Sequence, residues 1–301
     1  MPEVIGFGAL NLDKIYRVDK IPGKDEEGFV KSLEVHPGGS AANTIVGLSR
    51  LNVSTGFIGK VGNDNEGKIL MEDFKNERVD TSGIIKSEGR SGNAMIFVDD
   101  DGHRAILVDP GVNDTINYDE INLNALNSAR LIHLTSFICK NGLASFESQK
   151  KIIKELDLEV SFDPGLIYVE RSFKELEEIL KRTTIFMPNK TEIELLMGID
   201  YRDACHELIE TGCEIVVVKM GEKGCYITNG KEEYNVKAIP TNAVDTTGAG
   251  DAFNAGFIYG FIRGKSLEEC GKIGNFVASR NIQSVGARAG LPWEDELLSL
   301  R

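Results

Sequence analysis

Nine consecutive residues, Asp245-Thr246-Thr247-Gly248-Ala249-Gly250-Asp251-Ala252-Phe253, concentrate more chemistry than any other stretch of this 301-residue chain. Two glycines flank an alanine just where an apolar helix begins, so backbone N–H groups can approach a ligand with no side chain between. The first N–H groups of a helix have no partner within it, and the helix dipole adds positive potential there. The turn is therefore built to receive an anion. Asp251 falls in the first helical turn, where a carboxylate serves anion binding poorly. It serves chemistry if it takes the proton of a hydroxyl attacking a phosphoryl group. A Gly-rich turn with Asp251 complementing the helix dipole is the plainer alternative, and local spacing leaves the two open.

Other polar residues cluster at similar turns. Gly38-Gly39-Ser40-Ala41-Ala42-Asn43 is a second glycine turn entering a helix, with an amide that can read hydroxyl groups; strand–turn–helix packing explains the same pattern. Asn11 and Asp13 follow the first apolar run, at the strand end where open α/β sheets bind ligands. Asn189-Lys190-Thr191-Glu192 reads first as a good helix cap, and the functional alternative puts two polar groups at a strand end to orient water around Mg²⁺ on a nucleotide. Lys219-Met220-Gly221-Glu222-Lys223-Gly224 leaves a strand through glycines and can clasp a nucleotide or merely turn the chain. Two near-misses fail. Gly260 to Ser266 has one residue too few between its glycines for a P-loop and lies at a helix end, and Asn11 replaces the third glycine of a dinucleotide fingerprint.

The elements that must position these residues alternate. Strands are expected at Val4 to Leu10, Thr55 to Val61, Ala129 to Leu134, Glu159 to Asp163, Thr184 to Met187 and Ile215 to Lys219. Helices are expected at Ala41 to Leu51, Ser145 to Leu156, Lys174 to Leu180 and Glu192 to Met197. That rhythm predicts an α/β fold with a mostly parallel sheet covered by helices on both faces. Asn93 to Asp99 and His103 to Asp109 flank Asp100-Asp101-Gly102, a hairpin signal, and Glu27 to Val35 is strand-like. These pieces, within about 13–37 and 91–109, suggest a small sheet forming a lid. The aspartates lack the spacing of a calcium loop and read as a solvated turn. Ala249 to Ile262, Leu267 to Ile282 and Trp293 to Leu300 read as three successive helices. One domain over 1–301 with its lid accounts for the chain.

Composition narrows the partners. The chain has 34 Lys and Arg against 47 Asp and Glu, a formal net charge of −13, which disfavours nucleic acid and anionic membrane as partners. Five scattered cysteines and four histidines offer no zinc spacing or disulfide framework. The first residues have no basic signal-peptide character, and the longest apolar run is about half a membrane span. A cytoplasmic location is the expectation.

In this order, these segments resemble the ribokinase-like sugar and nucleoside kinases, the PfkB family. The likeness spans essentially the whole chain and includes Gly59-Lys60-Val61-Gly62-Asn63-Asp64-Asn65-Glu66-Gly67 and Gly286-Ala287. It implies the three-layer ribokinase-like fold and in-line transfer of a phosphoryl group from ATP with Mg²⁺ to an alcohol. Asp251 would be the general base, with the N–H groups of Gly248, Ala249 and Gly250 stabilising the transferring group. Asn11, Asp13, Gly38, Gly39, Asn43 and Thr135 would form the acceptor site. Asn189, Glu192 (to Mg²⁺ through water), Lys219, Gly221, Gly224 and Asn275 would serve the nucleotide. Asp245, Thr247, Asn281, Ser284, Gly286 and Gly290 correspond to the K⁺ site of ribokinase, which tends to have serine where this chain has Gly290. The lid would close over the sugar and pair with the lid of a second subunit. Ribokinase offers its sugar a glutamate where this chain reads His133-Leu134-Thr135-Ser136-Phe137, so ribose itself is not implied. A small sugar is the first expectation for the acceptor, a nucleoside or sugar phosphate the second, and a non-catalytic sugar- or nucleotide-binding regulator the third. Arg104 on the lid could meet a phosphorylated acceptor, though a solvated hairpin residue is the simpler reading.

Overall fold

Runs such as Val4–Phe7 (VIGF) and Ile215–Lys219 (IVVVK) have no polar face, so a sheet built from them needs cover on both sides. The computed structural model describes residues 1–126 and 129–298. Along the chain the elements are β1 (Val4–Phe7), β2 (Asn11–Val18), β3 (Val30–Gly38), α1 (Ser40–Arg50), β4 (Thr55–Gly62), α2 (Asn65–Asn76), β5 (Ile84–Ser87), β6 (Gly92–Val98), β7 (Arg104–Asp109) and β8 (Leu131–Thr135). There follow α3 (Ala144–Glu155), β9 (Glu159–Asp163), α4 (Gly165–Val169), α5 (Phe173–Leu180), β10 (Ile185–Phe186), α6 (Lys190–Met197), α7 (Tyr201–Thr211) and β11 (Ile215–Lys219). The chain continues through β12 (Cys225–Thr228), β13 (Glu233–Val236), α8 (Ala249–Ile262), α9 (Leu267–Asn281) and α10 (Glu294–Leu298).

The large sheet runs β13-β12-β11-β10-β9-β8-β1-β4-β5, parallel except for the antiparallel β11-β12-β13 edge. Its side chains alternate between two cores. Ile215 and Val217 pack with residues of α1, α8 and α9, while Val216 and Val218 pack with residues of α3, α5 and α7. This is the three-layer arrangement expected. Trp293 stands just before α10, and the last residue of the helix expected there, Leu300, lies outside the described residues.

Two differences from the sequence expectations matter. The strand expected at Val4 to Leu10 ends at Phe7, because Leu10 leaves the ladder: its N–H donates to Asn113 Oδ1 (3.0 Å) and its carbonyl accepts from Asn113 Nδ2 (2.9 Å). The chain then enters a second sheet, ordered β3-β2-β6-β7, in which β2 and β6 are parallel and both outer pairs antiparallel. Strands β5, β12 and β13, four residues each, carry too short a pattern to be read alone.

The segment from Gly59 to Gly67 anchors this second sheet. Asp64 caps α2 by accepting from the Gly67 N–H, and it also accepts from the Ser91 N–H (2.7 Å) and hydroxyl (2.6 Å), just before β6. Part of the motif therefore fixes where the small sheet emerges from the large one.

Candidate active site

The parallel strands β1, β8, β9, β10 and β11 all end on one edge of the large sheet, and the polar residues singled out by sequence collect along it. Helices α1 and α8 start there side by side. Gly248 takes φ +73° as the N-cap of α8, and a Cβ there would sit 2.8 Å from Ala287 backbone atoms, so the turn has room only for glycine. The Ala249 N–H folds inward onto the Thr246 carbonyl (3.2 Å), and the Thr247 N–H is taken by Asp245. The N–H groups of Gly248, Gly250 and Asp251 have no acceptor among the described residues. Donors are thus available on either side of Ala249 rather than at it.

Asp251 faces α1. Its Oδ2 accepts from Asn43 Nδ2 (2.8 Å), its backbone carbonyl accepts from Thr44 Oγ1 (3.2 Å), and its Oδ1 has no partner among the described residues. Burial pushes the carboxyl up to about 7, the Asp163 charge adds to the rise, and Asn43, Lys219 and Arg288 pull the other way. A carboxylate that balances between its two protonation states near neutrality suits proton transfer.

The residues expected to meet an acceptor lie around the start of α1 and the ends of β1 and β8. Asp13 lies against the Gly38 turn, where a Cβ would meet its carboxylate at 2.3 Å, and burial raises it to about 6 against the pull of Arg288 and His36. Gly39 caps α1. Asn11 Oδ1 accepts from Asn113 Nδ2 (2.9 Å), and the Thr135 hydroxyl lies beside Gly8 at the end of β8. Asn43 is already engaged at both ends, because its Oδ1 accepts from Arg288 Nε (2.7 Å). Arg288 is buried, paired with Asp73 and donating to the Gly38 carbonyl (3.3 Å).

On the other side, β10 and β11 end beside a cleft of about 440 Å³ lined by Asn189, Tyr201, Lys219, Met220, Gly221 and Lys223. Asn189 and Glu192 form a reciprocal cap: Asn189 Oδ1 accepts from the Glu192 N–H (2.9 Å), and Glu192 Oε2 accepts from the Asn189 N–H (2.8 Å). Lys219 is paired with Asp163, and Asn254 Nδ2 donates to the same carboxylate oxygen (2.6 Å). Burial opposes the Asp163 charge, and the Lys219 ammonium more than offsets it, holding the carboxyl below its usual range. Burial and the Asp163 charge raise Glu192. A Cβ on Gly250 would lie 3.4 Å from Lys219 Nζ, so this ammonium stands directly behind the anion turn. Lys219 bonds Asp163, while Glu192, also buried, keeps its Oε1 without a partner among the described residues, an oxygen that fits the water shell of a divalent cation.

Gly224 lies against the Val236 carbonyl, and Asn275 holds the carbonyls of Val236 (3.2 Å) and Lys237 (3.0 Å). Both tie β13 to its neighbours, and neither lines the cleft beside Gly221. Asp245, Thr247, Asn281, Ser284, Gly286 and Gly290 do gather in one pair of loops. Asp245 accepts from the Thr247 N–H and hydroxyl and from the Gly286 N–H (2.8 Å), and the Ser284 N–H donates to the Asn281 carbonyl (3.3 Å). Gly290 packs on the same Asn281 carbonyl, and the buried Asn281 Oδ1 has no donor among the described residues, which leaves it available to a cation.

Sequence reasoning passed over Asp163, Asn254, Tyr201, Asn113 and Arg288. Asp163 carried a usable signal, a carboxylate closing a buried strand. The others are united only by the fold, Arg288 with Asn43 across 245 positions.

A family model described as pfkB family carbohydrate kinase matches residues 1–294. An uncharacterized sugar kinase of Archaeoglobus fulgidus is 60% identical over 247 residues, covering 82% of this chain and 98% of its own length. An ATP-dependent ribose-1-phosphate kinase of Halopiger xanaduensis is 32% identical, covering 96% and 95%. Among solved structures, a ribokinase from Thermotoga maritima superposes with a TM-score of 0.90 at 27% identity, covering 99% of each chain.

Proposed function

This chain belongs to the pfkB family of carbohydrate kinases, and on that premise we propose that it transfers the terminal phosphoryl group of ATP to a hydroxyl of a small sugar. The observation that carries the reading is Asp251, raised to about 7, with one carboxylate oxygen and the neighbouring helix-start N–H groups lacking partners among the described residues.

The acceptor lies against Asp13, Asn11 and the Gly38-Gly39 turn, which orient its hydroxyls, with Asn43 beside them using its remaining amide hydrogen. As an acceptor oxygen forms its bond to the terminal phosphorus, Asp251 Oδ1 receives the hydroxyl proton, and the bond from phosphorus to the bridging oxygen breaks to release ADP. The N–H groups of Gly248 and Gly250, with Lys219 behind them, stabilise negative charge on the transferring group. Asn189 and Glu192 orient the water around Mg²⁺, which when bound neutralises charge on the triphosphate. Tyr201 offers the cleft an aromatic face, and Gly221 lets the chain pass close to the nucleotide. A monovalent cation, K⁺, fits the Asp245–Gly290 loops through Asn281 Oδ1 and nearby carbonyls; with glycine at 290, no hydroxyl is offered there.

The small sheet acts as a lid. Cross-strand partners share a face, so Asp13, His36, Ala94 and Val108 form one row, and Arg17, Val98 and Arg104 another on the same face. Leu107, on the opposite face, and Phe29, just before β3, are among the lid's exposed apolar residues. Its edge strands β3 and β7 also lack outer partners among the described residues, which supports pairing with the lid of a second copy. The five free cysteines suit a reducing cytoplasm.

A sugar phosphate is the second reading for the acceptor. It is favoured by the ribose-1-phosphate kinase relative and by Arg104, which shares the Asp13 face and adds its charge to the Gly286 and Thr247 hydrogen bonds that lower the Asp245 carboxyl. A coupled assay of nucleotide turnover with Mg²⁺ and K⁺ tests both, across ribose, fructose, inositol, nucleosides, ribose 1-phosphate and fructose phosphates. Turnover on a free sugar supports the first reading and on a sugar phosphate the second; silence across the panel, with nucleotide bound, contradicts both.

A further inference from the structure

A chain of contacts runs from a surface helix to the proposed base. Asp73 of α2 pairs with Arg288 Nη1; Arg288 Nε donates to Asn43 Oδ1 (2.7 Å); Asn43 Nδ2 donates to Asp251 Oδ2 (2.8 Å). The direction of this chain is chemically forced at one point. A guanidinium has donors only, so it holds the oxygen end of the Asn43 amide toward itself and turns the nitrogen end toward Asp251. Without it, nothing in these contacts tells the amide which way to face, and the flipped form would set its oxygen against a carboxylate oxygen.

We propose that Arg288 is a positioning residue for phosphoryl transfer, fixing the Asn43 amide so that Asp251 is held with Oδ2 occupied and Oδ1 open to the acceptor hydroxyl. The proposal rests on the assignment of Asp251 as base. It explains why an arginine is buried beside the Gly38 turn, where Asp73 and the Gly38 carbonyl hold its other nitrogens. The charged groups that act on Asp251 besides Arg288 are Asp163 at the end of β9 and Lys219 at the end of β11. Both stay in place when Arg288 is changed.

Arg288→Lys is the informative variant, because it keeps a cation beside Asp73 and removes the Nε donor. The test titrates the Asp251 carboxyl by carbon NMR, with Asp251→Asn to assign the signal, and measures the pH profile of kcat. Arg288→Lys is expected to move the Asp251 titration and the acid limb of kcat upward by about one pH unit. It is also expected to lower kcat about tenfold or more, with nucleotide affinity unchanged. In an Asn43→Ala background the same change should add little, since the amide it orients is gone. An unmoved titration, or full additivity with Asn43→Ala, overturns the proposal. If Arg288→Lys does not fold, Arg288→Gln with Asp73→Asn is read by its additivity with Asn43→Ala alone, since loss of the Arg288 charge raises Asp251 by itself. A wild type that binds nucleotide but transfers nothing defeats the kinase reading and still leaves the titration readable. A wild type that turns over while Arg288→Lys matches it in titration and kcat defeats only the role of Arg288.

Discussion

The seam between α1 and α8 and the sheet β3-β2-β6-β7 meet at the proposed acceptor, and they are finished to different degrees. In the seam, Asp251, Asn43, Arg288 and Asp73 are bonded to one another, and two glycine turns bring the helix starts together. In and beside the small sheet, Phe29 is 68% exposed, Leu107 58% and Ile106 52%, and both edge strands lack outer partners among the described residues. The difference teaches how one fold divides its labour. Groups that act on the transferring phosphoryl must be in place before reaction, because reorganising them would cost rate. Groups that admit and enclose an acceptor need freedom to move and a surface to close against.

After loss of the Asp251 carboxylate itself, the largest effect should come from breaking the electrostatics beside the seam. Lys219→Met leaves Asp163 as a buried carboxylate without its cation, expected to cost about 3–5 kcal/mol of stability. It should also lower kcat by about 10²-fold, through the charge lost behind the anion turn. Denaturant midpoints and steady-state rates measure the two, and Asp163→Asn in the same chain should restore much of the stability while leaving activity low. Recovery of both together would reduce Lys219 to a structural role.

A pH dependence comes next. A protonated Asp251 cannot accept a proton, so kcat/KM of the free enzyme should fall about tenfold per pH unit below about 7. Stability runs the other way. The carboxyl binds its proton more tightly in the folded chain than in the unfolded one, where aspartate titrates near 4. Its contribution is therefore full below that pH and is lost as pH rises through about 7. Asp251→Asn should melt several degrees above the wild type at pH 8 and close to it at pH 4. Equal melting at both pH values would mean that the site carries no strained charge.

The smallest chemical effect belongs to the small sheet. Leu107→Lys should shift a dimer toward monomer by sedimentation while leaving kcat within about threefold. A large fall in kcat with the assembly intact would erase the contrast between the two regions.

The same contrast separates what the sequence made legible from what it hid. The Asp245–Asp251 turn and the Asn189–Glu192 cap are local devices: a few adjacent residues specify the geometry, and the structure builds both at the edge expected. The strand at Ile215–Lys219 was legible because a continuous apolar run ends at a polar residue, and Glu159–Asp163 because Val160 and Phe162 alternate with small or polar residues. Arg288 was not, because its partners Asp73 and Asn43 lie 215 and 245 positions away and no periodicity links them. Asn275 was named through the family resemblance alone, and its local sequence gives no sign that its Nδ2 donates to the carbonyls of Val236 and Lys237. The early end of β1 was hidden for a similar reason, since Asn113, 103 positions on, takes Leu10 out of the sheet.

The central claim is that Asp251 performs proton transfer and does not merely shape the site. The most direct measurement sets wild type and Asp251→Asn side by side, following phosphoryl transfer to the best acceptor and nucleotide binding by calorimetry in the same preparations. The account predicts transfer reduced by about 10³-fold or more, with nucleotide affinity within a few-fold. Near-normal transfer by Asp251→Asn would contradict it, even with the family and the fold unchanged.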